Sequence, residues 1–104
     1  MQIQINTDRN IEGHETLSNH VETMVVQALE RFSEQITRIE VHISDENSDK
    51  GGENDKRCMI EARIENLQPV AVTHQDANLD SAVRGAIDKL KNMLNSKLGK
   101  KKNR

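Results

Sequence analysis

The chain has 104 residues, a length that fits one domain with one modest core. Trp and Tyr are absent and aromatic residues make up only 1% of the chain, so aliphatic side chains must build that core. The single cysteine, Cys58, excludes an internal disulfide. No apolar run approaches the roughly 20 residues that span a bilayer, and the N-terminus shows no secretory signal. We therefore expect a cytoplasmic protein without membrane contact.

The net charge of −2 hides a strong asymmetry along the chain. Residues 1–83 contain 7 Lys and Arg against 16 Asp and Glu, whereas residues 84–104 contain 8 Lys and Arg and one acid, Asp88. A solvated helix with a frayed basic end would explain this pattern. The alternative interpretation, which we favour, is a polyanion-binding end on an acidic body.

The first half of the chain switches between two periodicities. Residues 2–6 alternate polar and apolar, which predicts a short strand with Ile3 and Ile5 on one face. Residues 36–44 alternate in the same way and predict a second strand. Between them, residues 15–32 carry apolar side chains at helical spacing, which predicts an amphipathic helix. Its apolar stripe consists of Leu17, Val21, Met24, Val25, Ala28, Leu29 and Phe32.

The second half begins with a polar segment, residues 45–56, which predicts a mobile loop. Residues 57–65 and 70–75 alternate again and predict two strands, joined by a hairpin turn at 66–69. Residues 78–98 return to helical spacing and predict the last helix.

The predicted last helix has sequence signals at both ends. Asn78 suits the N-cap position, and Gly99 suits a C-terminal stop. We therefore expect a single domain over residues 1–98 and a basic disordered tail over residues 99–104.

The element order β-α-β-β-β-α gives every strand one apolar face and each helix one apolar stripe. These surfaces are buried together if both helices lie on the same side of the sheet. The sequence therefore predicts an α/β (α+β) two-layer sandwich with a four-stranded mixed sheet. The first crossover should be right-handed and join parallel strands, the remaining strands should be antiparallel, and the other sheet face should be polar.

No catalytic or metal-binding pattern is present in the sequence. A glycine-rich phosphate loop is missing, and no Cys or His stands at zinc-ligand spacing. Cys58 lies on the predicted inward face of a strand, which is typical of a small core residue. We expect no enzyme activity, no metal, no cofactor and no small-molecule substrate.

The basic cluster at the C-terminal end is the strongest functional signal. The candidate RNA-binding residues are Arg84, Lys89, Lys91, Lys97, Lys100, Lys101 and Lys102. Helical spacing places Arg84 and Lys91 on one flank of the helix and Lys89 on the other. A long row of cations suits a phosphate backbone, because released counterions drive binding. With one Phe in the core, base stacking is disfavoured, so a structured RNA recognised by shape and phosphates fits better.

Pairing within the helix is the alternative explanation of these charges. Arg84 with Asp88 and Asp88 with Lys91 have the spacing of local ion pairs. The lysines at 100–102 have no acidic neighbour in sequence, so such pairing does not explain the whole cluster.

The segment Ala82-Val83-Arg84-Gly85-Ala86-Ile87-Asp88-Lys89-Leu90 resembles the last helix of the ribosome hibernation promoting factor family, also called the ribosome-associated inhibitor or sigma-54 modulation protein family. The start, Met1-Gln-Ile-Gln-Ile-Asn, and the helix end Leu29-Glu-Arg-Phe32 are also similar. The resemblance implies a fold like a double-stranded-RNA-binding domain. It further implies binding to the small ribosomal subunit and its rRNA, in the mRNA and tRNA channel, to inhibit translation in stress or stationary phase. The chain stops soon after the last helix and so looks like the short form.

The first predicted helix departs from that family. Members usually carry exposed basic residues there, whereas residues 14–32 contain only Arg31, with Ser18, Met24 and Gln27 where basic residues are expected. Asp80 replaces an aromatic residue often found early in the last helix. The alternative hypothesis is therefore a diverged protein–protein interaction module that does not bind RNA.

Overall fold

The structure, a computed structural model, describes residues 1–8, 14–45 and 55–99 of the chain. Its main elements are β1 Gln2–Thr7, α1 His14–Ala28, β2 Ile36–Asp45, β3 Lys56–Ile64, β4 Val70–Asp76 and α2 Leu79–Leu94. This order confirms the predicted β-α-β-β-β-α arrangement. The tail at 100–104 and most of the predicted loop at 45–56 lie outside the described residues.

The four strands form one mixed sheet in the order β1-β2-β3-β4. β1 is parallel to β2, and β3 is antiparallel to both of its neighbours, as the sequence predicts. The register aligns inward-facing apolar residues across the sheet: Ile39 on β2 lies between Ile3 on β1 and Ala62 on β3. This alignment produces one continuous apolar face for the helices to cover.

The core is almost entirely aliphatic and lies between the sheet and the two helices. From the helices it takes Val21, Val25, Leu29, Phe32, Ala82, Val83, Ala86, Ile87, Leu90 and Leu94, all buried. From the sheet it takes Ile36, Ile39, Val41, Ile43, Cys58, Ile60, Ala62, Ile64, Val70 and Val72. Both predicted helical stripes are therefore confirmed as the faces that pack on the sheet.

The first helix is shorter than the predicted span of 15–32. It ends at Ala28, and a 3-10 turn follows at Glu30–Phe32. The amide of Phe32 donates to the carbonyl of Leu29 at 2.9 Å, which closes this tighter turn. Side chains three residues apart eclipse in a 3-10 turn, so Leu29 and Phe32 still point together into the core.

The second helix has the predicted N-cap. The Asn78 side-chain oxygen accepts a hydrogen bond from the amide of Ser81 at 2.8 Å. The α-helical hydrogen-bonding ends at Leu94, and a wider π-helical turn continues from Asn95 to Gly99. The helical segment thus ends at the glycine that the sequence marks as its stop.

The distance of α2 from the sheet depends on Gly85. The imidazole of His74 on β4 lies against this glycine, so that a Cβ there would overlap the ring. His74 Nε2 lies 3.1 Å from an Asp76 carboxylate oxygen, which orients the ring. This close approach brings the next turn of α2, with Lys89, over the β4 edge of the sheet.

Candidate nucleic-acid interface

The cationic residues of α2 lie on two separate flanks. Arg84 lines a groove of about 480 Å³ between α1 and α2, together with His20 of α1 and Asp88 of α2. Lys91 lines a second hollow between the same helices, nearer their C-terminal ends. Lys89 lies on the opposite flank and reaches β4. Helical spacing alone predicted this division.

Arg84 is held by an acid one turn earlier in its helix. Its Nε donates to an Asp80 carboxylate oxygen at 2.7 Å. This bond lowers the pKa of the Asp80 carboxyl and raises the pKa of the Arg84 guanidinium. Asp80 also lies 3.5 Å from His20 Nε2 on α1. Arg84 is thus paired within its own helix, as the alternative explanation held, but its hydrogen bond goes to Asp80 and not to Asp88. Asp80 stands in the first turn, where the helix dipole favours an acid.

The Arg84–Asp80 pair still leaves the arginine accessible to a ligand. Both side chains are more than half exposed, and exposed ion pairs of this kind hold their partners weakly. A phosphate group at the mouth of the inter-helix groove can therefore compete for the guanidinium.

Lys89 makes a contact that stabilises the fold. Its Nζ donates to the backbone carbonyl of Thr73 at 2.8 Å. Thr73 belongs to β4, an edge strand of the sheet, whose outward carbonyls are open to pairing with another chain. The lysine therefore covers part of this edge, and its charge lies beside the sheet rather than beside the other α2 cations.

Lys91 on α2 and Lys97 on the π-helical turn after it remain available to a ligand. Among the described residues, neither side chain makes an ion pair or a hydrogen bond. Lys97 is exposed on the π-helical turn, and Lys91 is half-buried one turn before the end of α2. Lys100, Lys101 and Lys102 lie outside the described residues. Of the candidate residues that the structure describes, two are thus engaged within the chain and two are free of such partners.

The exposed surface of α1 is acidic, as its sequence indicates. Glu15, Glu22 and Glu30 are exposed, and α1 itself contains no Lys or Arg; Arg31 follows just beyond the helix. The Arg31 guanidinium lies 5.0 Å from the centre of the Phe32 ring, a cation–π contact. Apart from Arg31, the described Lys and Arg residues of the helix layer lie on α2 and the π-helical turn that follows it.

The outer face of the sheet also carries cations, which the sequence indicated only as outward-facing polar residues. Arg38 on β2 donates from Nε to Glu40 at 2.8 Å and from Nη1 to Gln2 at 3.3 Å, and Nη2 bonds Gln4. The bond from Arg38 lowers the pKa of the Glu40 carboxyl. Alternation placed these side chains outward. Only the strand register shows which of them meet.

The described part of the chain offers no metal site. No group of three or more His, Cys, Asp or Glu side chains comes together there in a way that could hold an ion. His42 points to the outer face of the sheet, whereas His74 packs under α2. Burial raises the pKa of the Cys58 thiol to about 12, which keeps it protonated.

None of the described helices has the length and apolar character to cross a membrane.

These features define a small α+β domain with cations on both the helix layer and the outer face of the sheet. A family model described as sigma 54 modulation protein / S30EA ribosomal protein matches residues 3–102. The chain belongs to this family, which confirms the resemblance seen in the last helix and supports a ribosome-related role. The family is one of ribosome-associated factors and is not known as an enzyme family.

Two solved structures have the same fold. The N-terminal domain of Protein Y from Thermus thermophilus matches with a TM-score of 0.71 and 22% identity, over 90% of this chain and 96% of that one. A ribosomal subunit interface protein from Coxiella burnetii matches with a TM-score of 0.68 and 14% identity, over 100% of both chains. At these identities the likeness establishes the fold. No curated protein matches the sequence.

Proposed function

We propose that this protein binds the small ribosomal subunit through its rRNA, in the channel used by mRNA and tRNA, and thereby inhibits translation under stress or in stationary phase. The observation that carries the proposal is the family match over residues 3–102. A similar solved structure is a ribosomal subunit interface protein, which supports the same role. The protein would act in the cytoplasm by binding alone, without a cofactor or a small-molecule substrate.

The α2 cations supply the attraction in this proposal. Lys91 and Lys97 have no partner among the described residues, and the lysines at 100–102 follow them in sequence. Arg84 can exchange its exposed Asp80 partner for a phosphate. Lys89 adds positive charge on the β4 side. Because phosphate contacts carry no base identity, this surface would recognise the position and shape of an RNA backbone.

The first experiment is sedimentation of the purified protein with small subunits, large subunits and whole ribosomes at low and high salt. We expect co-migration with the small subunit and the whole ribosome at low salt and release at high salt. With about 5 to 7 phosphates neutralised, log K should fall with log salt at a slope of roughly −4 to −6. Absence of co-migration with the small subunit at low salt would overturn the proposal.

Charge substitutions then test the assignment to α2. Replacing Lys91, Lys97 and the lysines at 100–102 with Glu should abolish co-migration while the circular dichroism spectrum stays native. Two single substitutions form a matched control, Lys97→Gln and Ala77→Glu. Each makes the net charge more negative by one, but Lys97 follows the C-terminal end of α2 and Ala77 precedes its N-terminal end. Only Lys97→Gln should weaken binding. Equal effects would mean that net charge, and not this surface, controls binding.

A protein–protein interaction module is the second candidate, and the surface of α1 favours it. That helix is acidic, and Val26 is 43% exposed on it. A protein partner bound to this surface would stay bound at high salt and after RNase treatment. Substituting Val26→Asp should abolish such capture and leave ribosome co-migration unchanged.

A further inference from the structure

The central strand β3 presents two arginines on the outer face of the sheet, away from the helices. Arg57 and Arg63 are six residues apart on the same side of the strand, which separates them by about 20 Å. Between them lie the outward side chains of Met59 and Glu61. Among the described residues, neither guanidinium makes an ion pair or a hydrogen bond. Both arginines are therefore available to a ligand.

The strand register places like charges opposite each other on this face. Arg63 on β3 is aligned with Arg38 on β2, and Glu61 is aligned with Glu40. Like charges directly opposite each other destabilise a pair of strands. Glu40 binds Arg38 and offsets its charge, but no described acid contacts Arg63. Arg63 therefore does not contribute to folding stability through a charge pair. A residue that breaks the rule against like charges on paired strands is typical of a functional site.

The balance of charge favours the same face. Within the strands, the outer face carries three arginines, at 38, 57 and 63, against two acids, Glu40 and Glu61, and the exposed Glu65 follows directly after β3. The described helix layer, residues 14–35 and 79–99, carries six acids against five Lys and Arg. Within the described part of the chain, the outer sheet face is therefore the more positive of the two.

We propose that the outer sheet face is a second RNA-contact surface, on which Arg63 and Arg57 bind phosphates of the ribosomal RNA. This proposal rests on the proposed function, because it assigns a second contact with the same partner. The guanidinium fork matches phosphate oxygens in a bidentate manner. Its positive charge is complementary to an RNA backbone. Cations on both faces suit a domain enclosed between two RNA surfaces rather than one resting on a single surface.

The test compares the full-length chain with the double variant Arg57→Gln/Arg63→Gln. Binding to purified small subunits is titrated between about 50 and 200 mM salt. We expect the variant to bind at least about tenfold more weakly and its salt slope to fall by about 2, one for each phosphate that is no longer neutralised. Its thermal midpoint should not be lower than that of the unsubstituted protein.

A pair of acid substitutions controls for net charge. Glu61→Gln, on the outer face, and Glu22→Gln, on α1, each remove one negative charge from the chain. Glu61→Gln should strengthen binding and Glu22→Gln should leave it unchanged. Equal strengthening by both would show a general charge effect and overturn the assignment of the outer face.

The remaining outcomes separate this inference from the proposed function. If the unsubstituted protein binds and the double variant binds equally well, the outer face is not a contact surface, while the proposed function stands. If the unsubstituted protein does not bind small subunits, both proposals fail. If the double variant loses affinity for subunits but not for deproteinised small-subunit rRNA, the face contacts a ribosomal protein, and the RNA assignment is overturned.

Discussion

The helix layer and the outer sheet face use their positive charges in different ways. On α2, Arg84 is bonded to Asp80 and Lys89 to the Thr73 carbonyl. On the sheet, Arg38 has its own acid, but Arg63 lies opposite another arginine with no described acid in contact. The number of basic residues in a segment therefore does not measure the positive charge it offers to a ligand. The hydrogen-bond and ion-pair partners that the fold gives to each basic residue determine how much of its charge is available.

The largest expected difference between the two faces is in stability. Ile60 and Met59 are neighbours on β3, but Ile60 is 0% exposed beneath the helices and Met59 is half-buried on the outer face. Ile60→Ala should lower the free energy of unfolding by about 2–5 kcal/mol, because it leaves a cavity in the core. Met59→Ala, the matched control, should cost about 1 kcal/mol or less. Urea denaturation measures both, and equal decreases would mean that the outer face is also covered in solution.

A smaller effect is expected where the helix layer meets the sheet at Gly85. Alanine is normally the better helix former by about 1 kcal/mol. Gly85→Ala should nevertheless lower the free energy of unfolding by about 1–3 kcal/mol, since its Cβ would overlap the His74 ring. Thermal or urea unfolding would measure the decrease.

The double variant Gly85→Ala/His74→Ala controls for this contact. In the His74→Ala background, Gly85→Ala should be neutral or stabilising, because the overlapping ring is gone. A destabilisation of the same size with and without His74 would show that another neighbour makes the glycine necessary.

The smallest expected effect is a gain of stability on the outer face. Arg63→Gln should raise the free energy of unfolding by roughly 0.2–1 kcal/mol, because it removes the like charge opposite Arg38. The gain should shrink at about 1 M salt, where exposed charges are screened. Arg57→Gln is the matched control, since its cross-strand neighbours Ser44 and Gln75 are uncharged. A gain as large in the control would contradict the argument from like charges.

Periodicity predicted most of the fold because burial on one side imposes it locally. The alternation along β3 separated Cys58, Ile60 and Ala62 from the outward residues, and the structure buries all three. The N-cap Asn78 was equally readable, since its side chain bonds an amide three residues away. The end of α1 was misplaced by four residues, because a 3-10 turn keeps Leu29 and Phe32 buried just as a continued helix would.

The candidate site was less predictable, since its chemistry depends on partners from other elements. Helical spacing separated Lys89 from Arg84 and Lys91. It did not show that Lys89 would bond the Thr73 carbonyl, because that contact joins α2 to β4. It offered Asp88 as a possible partner of Arg84, whereas the hydrogen bond goes to Asp80, which is also four residues away. Spacing gives the candidates for an ion pair, and side-chain geometry selects among them.

The sequence by itself determined the element order, the inward faces of the strands and helices, the aliphatic core and the excess of cations after residue 83. These properties follow from local periodicity and from composition, which require no knowledge of distant contacts. Only the tertiary structure decided which cations are free and that Arg38 lies opposite Arg63. The register between strands depends on contacts between residues far apart in the chain, and it is this register that sets Arg63 opposite Arg38 rather than opposite an acid.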